Sequence, residues 1–467
     1  MTQASRGRGQ SGGLDSGGLN HMNGRRATYI SGILLFSSAA VMGCSAEDSS
    51  GGPVTLTIIE YQESRADAVE KLLPDFEAAM RDQGKDVNVK LIREVLPDEE
   101  FRTKITQQYN AGQAPDVADF GATYVPGLAG AGYLLDLTPY LDKWEGWDSF
   151  YPIVREGIVQ PDGKIYQLPH EASTQALFYR KDVLEKLGIS TEQPESWPDL
   201  ITRLQEITAK TGEPSIVLPA GTAWGGGTLN EGFVNVMLGT GSDLYNEETK
   251  KWVVKSEGLT KAFGVYADLA EKDLLPTEAL LNPEPWEPTK YRAFPEGTLP
   301  VAAQGTWGWR YDWGPEGAAP IPDVFDKVEI WDYPSFEGDP YQVSSTGFGY
   351  AISAETEHPD EAVELAEWLS SGEAMAEQLV AVGAAAPRSG IDDQAPYSEH
   401  AYLIDAEKAL SDAENFPARP GQDEIGQAVG EATELILTEG ATADEAADLF
   451  AERAEEILGP DQVESAD

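Results

Sequence analysis

The side chains able to do chemistry are mostly carboxylates. Asp and Glu number 80 against 33 Lys and Arg, giving a formal charge of −47 on 467 residues. A pair such as Glu63 and Asp119 could in principle work as acid and base on a glycosidic bond. In a chain this acidic such pairs are easily found, so the pair alone argues little. Other reactive types are scarce: four histidines and a single cysteine. His170, His358 and His400 have no triad context, and His358, directly before Pro359, reads as a helix lead-in. One cysteine excludes a disulfide scaffold and a Cys-based metal site. No metal or cofactor is expected. The Gly-rich stretch 220–227 lacks the Lys-Ser/Thr of a phosphate loop. A surface of this charge repels phosphate backbones and anionic lipid, so nucleic acid is a poor partner. The composition leans towards binding over catalysis and names no ligand.

The elements that must position these residues read as α/β. Residues 54–59 (VTLTII) are a strand by β-branched content, and 66–80 a helix with Val69, Leu72, Leu73 and Phe76 on one face. A strand at 87–92, a helix at 101–109 and a strand opening at Asp116-Val117 follow. This β-α-β-α-β order predicts an open, mostly parallel sheet flanked by helices. Ligands of such sheets bind beyond the carboxyl ends of strands, which selects residues 61–64 and 119–124. Later elements are strands at 176–179 and 349–352, a helix at 197–211 capped by Ser196, and a helix from Pro359 to Leu369. A capping box, Thr442-Ala-Asp-Glu445, opens an amphipathic helix through Leu458. Apolar residues make up 41% of the chain, which excludes a multi-span membrane protein. The length allows two or three domains with real cores.

The amino terminus is an address. Arg25-Arg26 precede about a dozen mostly apolar residues ending in small ones, the pattern of a secretory signal over residues 1–43. Met22 could equally be the start, and Arg25-Arg26 is only a weak twin-arginine pattern. The only cysteine, Cys44, follows Val41-Met42-Gly43 and resembles the lipidated residue of a bacterial lipobox. Acyl chains there would tether the protein to the outer membrane face, its only contact with lipid. Residues 44–53 are then a polar tether. Residues 1–43 carry +3, leaving −50 on residues 44–467. Such charge fits either a high-salt habitat or simply an acidic extracellular protein.

Five stretches in order resemble the extracellular sugar-binding proteins of ABC importers. They are Ala114-Pro115-Asp116-Val117 with Gly130 to Leu137; Asp162 to Pro169 with Phe178 to Asp182; Pro194 to Leu200; Phe294-Pro-Glu-Gly297 with Gln304-Gly305-Thr306-Trp307; and Gly347 to Ser353. The resemblance spans about 54–458, and its collinear order carries it. It implies two α/β lobes joined by three chain crossings with ligand in the cleft between them. By position, lobe one should hold 54–170 and 345–370, and lobe two 171–344 and 371–467. The crossings are expected at 169–174, 344–347 and 370–372. The implied function is a monomer that closes on a disaccharide or short oligosaccharide and delivers it to the membrane permease subunits. A carboxylate-dependent hydrolase, or a sugar sensor or adhesin, are the alternatives.

The same resemblance selects the ligand residues. Gln62 and Glu63 follow the first strand; Asp119 and Tyr124 follow the third, where this sequence has Gly121 in place of the family's frequent acid. Glu171 and Ser173 lie on the first crossing. Trp224 and Trp307 are stacking candidates for the faces of sugar rings. Gly347 and Phe348 bring backbone close to ligand. Arg388 and Arg419 are candidate forks for hydroxyls.

Overall fold

A computed structural model of the protein describes residues 52–345 and 347–466. The signal, Cys44 and most of the tether lie outside the described residues. The elements that position the site run β1 (Val54–Glu60), α1 (Glu63–Asp82), β2 (Val87–Arg93), α2 (Asp98–Asn110), β3 (Val117–Gly121), β4 (Leu168–Pro169), β5 (Ser173–Arg180), α3 (Trp197–Thr211) and β6 (Ile216–Val217). They continue as α4 (Glu257–Glu271), β7 (Val301–Gly305), β8 (Val328–Trp331), β9 (Val343–Ser345), β10 (Phe348–Ile352), α5 (Pro359–Leu369), α6 (Gly372–Val382), α7 (Ala401–Ala409), β11 (Glu414–Asn415), α8 (Gln422–Glu439) and α9 (Ala443–Leu458).

Two sheets form two lobes. The first runs β2-β1-β3-β10-β4, and the second β11-β9-β5-β7-β6 with β8 also on β5. In the first, β1 pairs parallel with β2 and β3, as the β-α-β-α-β order predicts. The expectation of a mostly parallel sheet stops there. β10 runs antiparallel to both β3 and β4, because it returns from the second lobe and enters from the opposite end. The second sheet is built on antiparallel pairs of β5 with β7, β8 and β9.

The helices bury the faces their sequences present. In α1, Val69, Leu73, Phe76 and Met80 are buried, while Leu72 is only half-buried. Ser196 accepts from the Asp199 N–H at the start of α3. The Thr442–Glu445 capping box is complete at the start of α9. Each such cap satisfies an orphan donor and stabilises its helix by about 1 kcal/mol.

The apolar cores locate the chain crossings. One core joins Leu56, Val69, Phe76, Tyr350 and Leu365 with Met375, Leu379, Leu403 and Leu410. The other joins Phe178, Leu204, Phe263 and Val301 with Ile425 and Phe450. The first two crossings fall between β4 and β5 and between β9 and β10. Residues 375–410 pack with the first core, so the chain passes back to the second sheet between Leu410 and β11. Residues 370–372, the expected third crossing, instead separate α5 from α6 within one core. Sequence pattern gave no sign of this, since α6 and α7 are ordinary amphipathic helices that fit either lobe.

Candidate functional site: an interlobe cleft

The carboxyl ends of β1 and β3, the first two crossings and the loops of the second sheet enclose a cavity of about 740 Å³. That lies within the roughly 300–1,000 Å³ of small-molecule sites. From the first lobe come Tyr61, Gln62, Glu63, Asp98 and Thr123; from the second, Trp224, Trp286, Lys290, Trp307, Tyr311 and Asp312. Glu171, Ser173, Gly347 and Phe348 stand at the crossings.

Eight of the twelve ligand residues expected from sequence are thereby brought together: Gln62, Glu63, Glu171, Ser173, Trp224, Trp307, Gly347 and Phe348. Four are not on the wall. Asp119 is fully buried behind it, bonded to His170 Nε2 at 2.7 Å and paired with Arg65 Nε at 3.3 Å. Tyr124 stacks on Phe120 and donates its hydroxyl to Asp98 at 2.8 Å, so it holds a wall residue and is not one. Arg388 lies over Trp144 and Phe150 and donates to the Ser370 carbonyl at 3.0 Å, within the packing of the first lobe. Arg419 is captured by Glu247 at 2.6 Å and donates to the carbonyls of Ala418 and Val159. In an acidic chain an arginine finds a structural carboxylate or carbonyl before it finds a ligand.

Behind the first-lobe wall lies a buried ionic cluster. Arg65, in the first turn of α1, is fully buried between Asp119 and Glu171. Glu60, the last residue of β1, is also fully buried. Burial, then the neighbouring Asp119, pushes its carboxyl well up. Asp119 is held down: burial works against its charge, but His170 and Arg65 overcome that. Burial, then Arg65, pushes His170 down. Burial thus disfavours charge on Glu60 and on His170, and leaves the negative charge of the cluster on Asp119, in contact with Arg65 and His170 Nε2.

Gly347 explains how the second crossing passes this cluster. Its φ is +59°, and a Cβ there would come within 2.8 Å of the Glu171 side chain. Only glycine fits both constraints.

The second-lobe wall holds a second buried cation. Lys290 Nζ bonds Glu231 Oε2 at 2.8 Å and Gln304 Oε1 at 3.1 Å, and sits 5.2 Å from the Trp224 ring centre. Burial pushes the nearby Asp312 carboxyl up to about 6, against the pull of Lys290. Glu231 and Lys290 stand on two π-helical turns, Thr228–Phe233 and Thr289–Ala293. Such turns place an extra residue on one face and are frequent at functional sites. Trp307 follows β7, and a Cβ at Gly305 would overlap its ring. The glycine therefore lets the indole fold back along the wall. Trp286 meets Trp224 edge-on, with ring centres 6.4 Å apart.

Sequence reading missed Asp98, Trp286, Lys290, Tyr311 and Asp312 on the wall. One signal was available: Trp286 sits in the Pro-rich run Asn282 to Thr289, directly before Lys290, where an aromatic has no helical or strand period to satisfy.

The profile of the family "Bacterial extracellular solute-binding protein" matches residues 62–376. The chain belongs to that family. This solute-binding protein is 27% identical over 187 residues to an arabinooligosaccharide-binding protein of Bacillus subtilis. That alignment spans 39% of this chain and 42% of the relative, under half the relative's length. Its fold is shared with solved solute-binding structures. The GacH receptor of Streptomyces glaucescens, solved unliganded and with acarbose, superposes with a TM-score of 0.70 at 20% identity, over 88% of this chain and 100% of that one. The sugar-binding protein MalE from Xanthomonas citri gives 0.71 at 21% identity, over 87% and 97%.

Proposed function

We propose that this solute-binding protein captures an uncharged sugar, of disaccharide or short oligosaccharide size, in the interlobe cleft. In this reading it is tethered through lipidated Cys44 at the outer face of the cell membrane and hands the sugar to the permease subunits of an ABC importer. One observation carries the proposal. Four aromatic side chains, Trp224, Trp286, Trp307 and Tyr311, share one cavity with the polar row Gln62, Glu63 and Asp98. Rings suit the C–H faces of a sugar, and carboxylates and amides suit its hydroxyl edges.

The charge of the wall supports an uncharged guest. Glu63, Asp98, Glu171, Glu231 and Asp312 line the cavity with Lys290 as the one cation among the described lining residues. Lys290 is already held by Glu231 and Gln304. A phosphate or carboxylate on the ligand would meet carboxylates first. The lobes would then act as a clamp, since a ligand touching both is bound most tightly when they are closed. Micromolar affinity needs about 8 kcal/mol, within reach of several polar contacts and one or two stacked rings.

The hydrolase alternative is not favoured. Of the pair Glu63 and Asp119, only Glu63 lines the cavity, and Asp119 is engaged by Arg65 and His170.

A thermal-shift screen against mono- and disaccharides tests the proposal. A ligand at a hundred times its dissociation constant should add about 2.7 kcal/mol. A disaccharide of the trehalose or maltose type should raise the melting temperature and be recovered unchanged. Absence of a shift from every carbohydrate, or recovery of cleaved sugar, rejects it.

A further inference from the structure

One ionic contact at the cleft joins the lobes directly. Arg102, on α2 of the first lobe, pairs through Nη1 with Asp423, in the first turn of α8 of the second. Both flank the cavity. On the Arg102 side, Nη2 donates to Thr123 Oγ1 at 2.9 Å, and Thr123 is on the wall. The guanidinium also lies 4.3 Å from the centre of the Tyr124 ring, whose hydroxyl holds the wall residue Asp98. On the Asp423 side, the preceding residue Gln422 lines the cavity and donates to Asn230 Oδ1 at 2.7 Å. The pair itself stands at the rim, with side chains 22% and 62% exposed.

We propose that Arg102 and Asp423 form a clasp that sets the balance between open and closed lobes, and through it the affinity of the cleft, without touching the ligand. The inference rests on the two-lobe clamp described above. Its physical basis is an asymmetry of order. Thr123 and Tyr124 already fix Arg102 on the first lobe, so little side-chain freedom remains to be lost when Asp423 arrives. Asp423 is favoured in its own right at the amino end of a helix. Both partners are thus poised before the lobes meet, and the pair forms only in the closed arrangement. In a chain of −47 the second lobe offers many acids, but the contact needs the one that α8 carries to the rim. An exposed pair of this kind shifts an equilibrium only about two- to fivefold, and salt weakens it. It tunes closure and does not create it. Arg102 and Asp423 are positioning residues.

The test measures closure without any ligand, so its outcome is independent of which sugar binds. Dyes placed at Gln107→Cys on α2 and Gln427→Cys on α8, in a Cys44→Ser background, report the interlobe distance by single-molecule energy transfer. The closed-to-open ratio should fall about two- to fivefold between about 0.1 M and about 1 M NaCl, as the screening length drops from about 10 Å to about 3 Å. Arg102→Gln and Asp423→Asn should each lower the ratio by that factor at low salt and remove its salt response. The double variant should lose no more than either single one, and Arg102→Lys should retain part of the salt response. Additive losses in the double variant, or a wild-type ratio that ignores salt, overturn the clasp. A sugar screen without hits would reject the proposed ligand class and leave this readout intact.

Discussion

Two buried cations flank the cleft, and they stand in different surroundings. Arg65 in the first lobe and Lys290 in the second each sit between acidic or amide partners and are almost without solvent exposure. Arg65 is sealed behind the wall by Asp119 and Glu171, whereas Lys290 forms part of the wall, with Trp224 beside it. The difference follows from where the chain places them. Arg65 lies in the first turn of a 20-residue helix whose apolar face is locked to the sheet. Lys290 lies on a short π-helical turn that opens onto the cavity. A cation between acids is sealed behind the wall in one lobe and part of the cavity wall in the other, so burial and charge alone do not assign a role.

The sharpest way to break this comparison is to remove each cation. Arg65→Met would leave Asp119 and Glu171 buried without their counter-charge. The loss should be about 3–5 kcal/mol in urea unfolding. Lys290→Met frees Glu231, whose side chain is 30% exposed and can reach water, and the Gln304 side-chain oxygen, which keeps the Gly305 N–H, so its stability loss should be clearly smaller and its effect on affinity clearly larger. Equal stability losses from the two variants would mean that the lobes use their cations alike.

The second prediction uses pH. Asp312, in the second-lobe cluster, has its carboxyl raised to about 6 by burial, above an ordinary value of 3.8. With a raised folded-state pKa, the favourable contribution is complete below about 4 and is lost as pH climbs through about 6. The fall is at most about 3 kcal/mol. Asp312→Asn should flatten that part of the stability curve, read from urea midpoints between about pH 4 and about pH 7. Glu60 in the first lobe is also raised, mainly by burial, so Glu60→Gln should likewise gain stability relative to wild type as pH rises. A wild-type curve that climbs steadily from pH 4 to 7 and is unchanged by Asp312→Asn would remove the assignment.

Third is the aromatic wall. Trp307→Ala should weaken binding of the sugar found by the thermal screen by about 2 kcal/mol, near thirtyfold, with the unliganded melting temperature little changed. Unchanged affinity would make Trp307 a packing residue and shift recognition to Trp286 and Tyr311.

The sequence was most readable where local physics and tertiary role agree. The strands at 54–60 and 87–93 and the caps at Ser196 and Thr442 follow from period and side-chain chemistry alone. The cavity residues at the carboxyl ends of strands, Gln62 and Glu63, were legible from the topology rule. What was not legible depends on long-range placement. No pattern distinguishes Asp119, which turns inward to His170, from Glu63 at the next strand end, which turns to the cavity. The antiparallel entry of β10 and the membership of 375–410 in the first core are likewise consequences of where the chain crosses, which no local window contains. Lys290 and Asp312 come together only through β7 and a loop of the second lobe, so their spacing carries no motif.

The smallest expected effects belong to the two arginines that sequence reading offered as ligand forks. Arg388 is spent on the Ser370 carbonyl and two aromatic faces, and Arg419 on Glu247 and two carbonyls. Arg388→Ala should therefore cost stability through lost packing, because the guanidinium bridges Trp144 and Phe150 beside the loop after α5. The affinity of the folded fraction should stay within about twofold, since no part of the side chain reaches the cavity. Arg419→Ala is the finer probe. Its backbone neighbour Ala418 is on the wall, and its Nη1 bond to the Val159 carbonyl crosses from the second lobe to the first. A small loss of affinity carried entirely by faster release would mark that crossing contact as a weak stay on the closed form. A loss above about tenfold would return Arg419 to the ligand and undo the view that arginines in this acidic chain are taken up by structure first.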